Sequence, residues 1–174
     1  MQDTFGTLIS QENYVTAVME RETDASPKAV WAVLAEESER VKWLAPGTIE
    51  LKPGGRAELD FKDSYVVVDS EVTACEPEKV LAFSWSGASD PERPVRFEIE
   101  PRENGSLIRL TVSIPRDEVV SRSCAGWEAH LTMMQTALAG VPIKFPLERF
   151  QACRADFDKQ LVALAMTEMP VVRL

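Results

Sequence analysis

The side chains that could do chemistry are few. The chain holds one histidine, His130, and three cysteines, Cys75, Cys124 and Cys153. None of the cysteines forms a Cys-x-x-Cys pair, and they fall on three different predicted elements. A zinc site needs three or four converging nitrogen or sulfur ligands, so the sequence predicts no metal. Nucleophilic catalysis needs a nucleophile beside a base beside an orienting group. Cys124 and His130 share one predicted helix, six positions apart, which sets them about 120° apart around the axis and about 9 Å along it. They form no dyad, and Ser121 and Ser123 lie farther from the histidine along the same helix. Gly54-Gly55 is a turn without the spacing of a phosphate cradle, and no cofactor is expected.

His130 therefore carries two readings. It flanks the apolar stripe of its helix, three positions after Trp127 and four before Met134. It is either a helix-edge histidine, with one nitrogen bonded to protein and the other wet, or a polar group on a cavity wall that orients a ligand or moves a proton. The tryptophans carry a similar pair. Trp31 reads as core. Trp43, Trp85 and Trp127 come from a second short helix, a strand and the long helix, and they read either as packing or as the walls of an aromatic pocket. Met133 and Met134 are adaptable filler beside them. Glu98, Glu100, Arg102 and Glu103 form a solvated strand face.

The elements that position these residues follow from periodicity and turn chemistry. Residues 13–23 alternate loosely and read as a first strand. Ser26 and Pro27 start a helix as N-cap and first helical residue, with Val30, Trp31, Val33 and Leu34 on its buried side. A second short helical piece holds Val41, Trp43 and Leu44. The chain from residue 48 to 114 reads as strands joined by tight turns, including 56–61, 65–74, 80–85 and 95–100. Leu81, Phe83 and Trp85 are expected on one face of the 80–85 strand. Asn104-Gly105-Ser106 matches a glycosylation sequon but reads as a hairpin turn. Strands in such close succession make an antiparallel sheet of six to seven strands. Asp117 caps a long helix to about residue 139, with Val120, Cys124, Trp127, Leu131, Met134 and Leu138 on one stripe and Gly140 as its stop. A further amphipathic helix spans about 146–165, with Leu147, Phe150, Phe157, Leu161 and Leu164 on one side. Its apolar face must bury against the chain's own outer surface or a second copy, so a homodimer through this helix is expected.

Composition sets the outer limits. The chain has 174 residues, a prior for one domain. Nineteen basic against 28 acidic residues give a net charge of −9, which disfavours nucleic acid and anionic membrane surfaces as partners. No apolar run is long enough for a membrane span. An odd, scattered set of cysteines without an export signal reads as reduced thiols in the cytoplasm.

Several local signatures share an order with a known family. Ala25-Ser26-Pro27 to Val30-Trp31, Trp43-Leu44-Ala45-Pro46, and Pro53-Gly54-Gly55-Arg56 come first. Glu76-Pro77-Glu78-Lys79-Val80-Leu81, Phe83-Ser84-Trp85, and Gly126-Trp127-Glu128-Ala129-His130-Leu131 follow. Over residues 13 to 140 the chain resembles the family named after the activator of the heat-shock-protein-90 ATPase, within the START and Bet v 1-like (SRPBCC) superfamily. The resemblance implies an α+β helix-grip fold: a curved antiparallel sheet wrapped on a long C-terminal helix, two short helices after the first strand, and a cavity between sheet and helix. The family's Thr-His-Ser-Gly-like stretch reads Thr111-Val112-Ser113-Ile114-Pro115 here, so no role for that histidine is carried over.

These readings divide the chain into an N-terminal tail (1–12), the helix-grip domain (13–140) and a C-terminal helical extension (141–174). The leading functional expectation is non-catalytic binding of a small apolar or planar molecule. The expected cavity lining is Trp43, Phe61, Phe83, Trp85, Phe97, Trp127, His130, Leu131 and Met134. One alternative is a module that docks on a chaperone ATPase, although eukaryotic activators of that kind carry a further N-terminal domain. Another is a cyclase- or hydrolase-like enzyme using His130 and cavity water.

Overall fold

A computed structural model describes residues 5–86 and 90–168. The chain enters through β1 (Thr7–Ser10) and β2 (Tyr14–Thr23), then α1 (Pro27–Ala35) and α2 (Glu37–Arg40). A run of strands follows: β3 (Gly47–Ile49), β4 (Arg56–Phe61), β5 (Val66–Glu76), β6 (Val80–Phe83), β7 (Val95–Arg102) and β8 (Gly105–Pro115). Two long helices close the chain, α3 (Val120–Leu138) and α4 (Leu147–Glu168). All neighbouring strands are antiparallel, in the order β1-β2-β8-β7-β6-β5-β4-β3.

Among the described residues the sheet thus has eight strands rather than six or seven. The addition is β1, which lies inside the stretch read as a tail. Leu8 is its one buried side chain. Gly6, just before it, is pressed so close that a Cβ would stand 2.7 Å from Met19 Cγ and 2.9 Å from the Val18 carbonyl oxygen. Such a short strand has too little periodicity of its own, and its pairing with β2 is what defines it.

Local chemistry sets the helices. Ser26 Oγ accepts from Ala29 N at 3.2 Å, with Pro27 following as the first helical residue. The second short helix ends at Arg40 and so lies before the residues expected in it; Val41 is exposed and Trp43 sits in the turn beyond. Arg40 is buried and donates to the carbonyls of Leu34, Ala35 and Gly47. That knits the two short helices to β3, and burial lowers the guanidinium's hold on its proton. The N-cap position of α3 is Val119, not Asp117, and it makes no side-chain cap bond.

The long helix buries more than the expected stripe. Val120, Cys124, Trp127, Leu131 and Met134 face the sheet core, while Ser121, Ala125, Glu128 and Ala129 are buried on further sides. α4 lies against α3 and β1. Cys153 and Phe157 of α4 are fully buried, and Phe150, Leu161 and Leu164 pack on the core. Of the apolar face that suggested a dimer, Phe150, Phe157, Leu161 and Leu164 are packed by the same chain, while Leu147 stays exposed, so most of its burial does not require a second copy.

One buried charge ties this arrangement together. Glu128, 0% exposed, accepts from Gly6 N at 2.7 Å, pairs with Arg21 of β2, and has Arg149 of α4 at 3.6 Å. A buried carboxylate costs several kcal/mol unless it is paired and hydrogen-bonded. Glu128 thus fixes the start of the chain, β2 and α4 to the middle of α3. Gln160 adds a clamp, donating to the Gly6 carbonyl and accepting from Leu8 N.

Candidate functional site

A cleft of about 280 Å³ opens between the sheet and one side of α3. Four elements build its walls. Ser123, Gly126, Trp127 and His130 come from α3, a spacing of three, four and seven that places them on one helix face. Phe61 ends β4, Val66 and Val68 begin β5, and Ile114 comes from β8. Leu44 and Trp85 close the sides.

Trp85 reaches the cleft by a bend. β6 ends at Phe83, and Trp85 takes the left-handed conformation, φ 53°, which costs an ordinary residue roughly 1–2 kcal/mol. A buried pair of serines holds it there. Ser70 Oγ accepts from Trp85 N at 2.9 Å and lies 3.2 Å from Ser84 Oγ, which accepts from Glu71 N. The indole keeps an edge-on contact with Phe83 at 6.0 Å. It meets Trp127 edge-on at 4.8 Å between centroids and Phe61 at 6.2 Å.

His130 is tethered on one side. Its Nδ1 lies 2.8 Å from the Trp43 carbonyl oxygen. A carbonyl only accepts, so Nδ1 carries the proton, and Nε2 of the neutral ring is the acceptor. The ring stands among Phe61, Trp127 and Phe145, with centroids 6.2, 6.3 and 5.7 Å away. Burial lowers its proton affinity below the ordinary histidine value, opposed in smaller part by the Trp43 bond. Both readings of His130 meet in this geometry: one nitrogen is bonded to protein, and the ring lines the cleft.

Of the nine expected lining residues, Phe61, Trp85, Trp127 and His130 come together on the cleft. Trp43, Phe83, Phe97, Leu131 and Met134 do not. They are buried behind it as filled core. Phe97 packs edge-on between Trp43 and Trp127, and Phe83 supports Trp85 at 6.0 Å. Trp43 donates from Nε1 to the Val33 carbonyl and holds His130 through its own backbone oxygen. Along α3, Leu131 is turned about 100° from His130, and Met134 lies about 10 Å beyond Trp127. Leu131 is thus turned off the cleft face, and Met134 lies past the end of the cleft along the helix axis.

Gly126, Val68 and Ile114 were not singled out from the sequence. At Gly126 a Cβ would meet nothing within 4 Å, so the bare helix backbone there leaves space in the cleft. Its place one position before Trp127 and four before His130 was the available signal.

The remaining reactive groups are disposed away from chemistry. Burial pushes the Cys124 and Cys153 thiols up to about 12, helped by the nearby Glu128 carboxylate, and raises Cys75 as well. A thiol, not a thiolate, is a poor nucleophile. All three cysteines are free. Among the described residues no cluster of three or more histidine, cysteine or carboxylate side chains is set to hold a metal ion. No described helix is long and apolar enough to cross a membrane.

A curved sheet closed over a long helix, with an aromatic cleft between them, defines a helix-grip protein of the START and Bet v 1-like superfamily. Within it, the chain belongs to the family described as Activator of Hsp90 ATPase homolog 1-like protein, which matches residues 24–139. No functionally curated protein shows significant similarity to the chain. Solved structures do. CalU16 from Micromonospora echinospora superposes with a TM-score of 0.75 at 19% identity, covering 91% of this chain and 98% of its own. The protein encoded by gene BPP1335 from Bordetella parapertussis gives 0.69 at 27% identity, with 86% of each chain covered. DynU16, from the dynemicin biosynthetic locus, gives 0.65 at 23% identity, covering 76% of this chain and 49% of its own.

Proposed function

We propose that the protein binds a small, planar, apolar molecule in the cleft and does so without catalysis, in the cytoplasm. The observation that carries this is the wall itself. Trp85 is held in a costly backbone conformation by buried serines, and its indole, packed on the core through Phe83 and Trp127, also lines open space. Packing alone would not reward such a bend, since interiors fill to crystal-like density. Apolar clefts with a few placed polar groups are the usual form of small-molecule sites. The three free cysteines support a reducing compartment.

A second reading, an enzyme with His130 as general base, rests on the neutral ring with its unprotonated Nε2. Among the described residues it lacks a second convergent acid or base, and the one cationic side chain on the wall, Arg93, is committed to Glu118 at 2.9 Å. Docking on a chaperone ATPase remains a third reading, drawn from the family description. Native mass spectrometry of protein purified from its own host tests the proposal. A co-purifying mass of a few hundred daltons is expected, and its absence across preparations, with the protein folded, would count against the binding reading.

A further inference from the structure

Ligand class follows from the hydrogen-bond polarity of the cleft, on the premise that the cleft is the binding site. Three observations combine. First, Nδ1 of His130 is spent on the Trp43 carbonyl. Nε2 projects from the other side of the ring and makes no hydrogen bond among the described residues. Nor is it among the buried polar atoms sealed from solvent without a partner, as Arg40 Nε and Ser86 Oγ are. It is therefore an open lone pair on the wall. Second, among the described residues the wall offers an anion no free cation. Arg93 binds both carboxylate oxygens of Glu118, and Asp90 and Asp117 add negative charge around it. Third, the remaining walls are aromatic and aliphatic apart from two hydroxyls, that of Ser64, which donates to the Phe61 carbonyl, and that of Ser123, and Phe61, Trp85 and Trp127 meet edge to face.

From these we infer that the cleft selects a neutral, planar aromatic molecule bearing a hydroxyl or N–H group that donates to His130 Nε2. A carboxylate of the same shape is rejected, because it brings an acceptor to an acceptor and a negative charge toward Glu118, Asp90 and Asp117. An ether of the same shape fits the walls but leaves Nε2 unpaired. A neutral hydrogen bond contributes about 0.5–1.5 kcal/mol net, so the donor should improve affinity several-fold, up to about ten-fold.

Three probes test this: 2-naphthol, 2-methoxynaphthalene and 2-naphthoate, titrated against the full chain by quenching of tryptophan fluorescence. The expected order is naphthol tighter than ether, and ether tighter than naphthoate. In His130→Phe the naphthol advantage over the ether should vanish while ether binding persists. Should that variant fail to fold, the imidazole ¹⁵N spectrum of the wild type decides, because the single histidine leaves no assignment ambiguity. Naphthol should shift the Nε2 resonance and the ether should not. Equal binding of naphthol and ether, or tightest binding of naphthoate, overturns the donor inference while the cleft reading stands. Binding of none of the three overturns both.

Discussion

Gly126→Leu separates ligand binding from stability. Position 126 lies within α3, where glycine costs about 1 kcal/mol against a good helix former. A Cβ there meets no atom within 4 Å, so the new side chain leaves the helix without a clash and enters the cleft that Gly126 lines. The fold should gain about 1 kcal/mol, a rise of roughly 2–4 °C in Tm for a domain of this size. The cleft holds about 280 Å³, and an isobutyl group takes the space beside Trp127. If a planar ligand loses ~80 Å² of apolar contact, about 25 cal/mol per Å² gives roughly 2 kcal/mol, a weakening of about 30-fold. Gly126→Ala provides the control, since it brings the same helix gain with a single methyl in the cleft. The assay pairs thermal unfolding with titration of 2-naphthol on all three proteins. Wild-type affinity in the leucine variant would refute the assignment of the cleft. A fall in Tm would refute the claim that position 126 faces open space.

Three further outcomes follow from the same geometry. The His130 ring should titrate below the ordinary histidine value by NMR, because burial disfavours its charged form. As pH falls through about 6.5 the unfolded chain takes the proton first, so the wild type should lose stability there relative to His130→Gln; equal pH slopes would contradict this. Glu128→Gln should cost about 3 kcal/mol, near the low end for breaking a buried pair because Arg21 and Arg149 keep some solvent contact, and should speed amide exchange at Gly6 and Leu8; an unchanged denaturation midpoint would show that the buried charge fastens nothing. Ser70→Ala strands the Trp85 N–H, at about 1–3 kcal/mol, and should weaken the near-ultraviolet circular dichroism of the Trp85–Trp127 pair, whereas an unaltered spectrum would mean the serine does not set the bend.

Much of the fold was legible because it is locally encoded. The alternation of Val95, Phe97 and Ile99 against charged neighbours, and the three-four spacing from Val120 to Leu138, each name a buried face without reference to anything distant. What escaped was set by tertiary contact. β1 exists through pairing with β2. Glu128 reads as a surface charge until Arg21, Gly6 and Arg149 converge on it. The site was half legible. Aromatic identity pointed to Phe61, Trp85 and Trp127, but whether a face borders void or filled core depends on how layers close. Phe97 and Met134 share the apolar character of Trp127 and yet lie in solid packing. The left-handed bend at Trp85 depends on a hydroxyl fifteen residues away, on another strand.

Intermolecular NOEs in the complex with 2-naphthol show where on the protein a planar ligand sits. Cross-peaks are expected from the naphthalene protons to the indoles of Trp85 and Trp127 and to the His130 ring. Contacts to the exposed apolar residues Val141, Ile143 and Leu147, with the cleft signals unmoved, would contradict the cleft as the binding site.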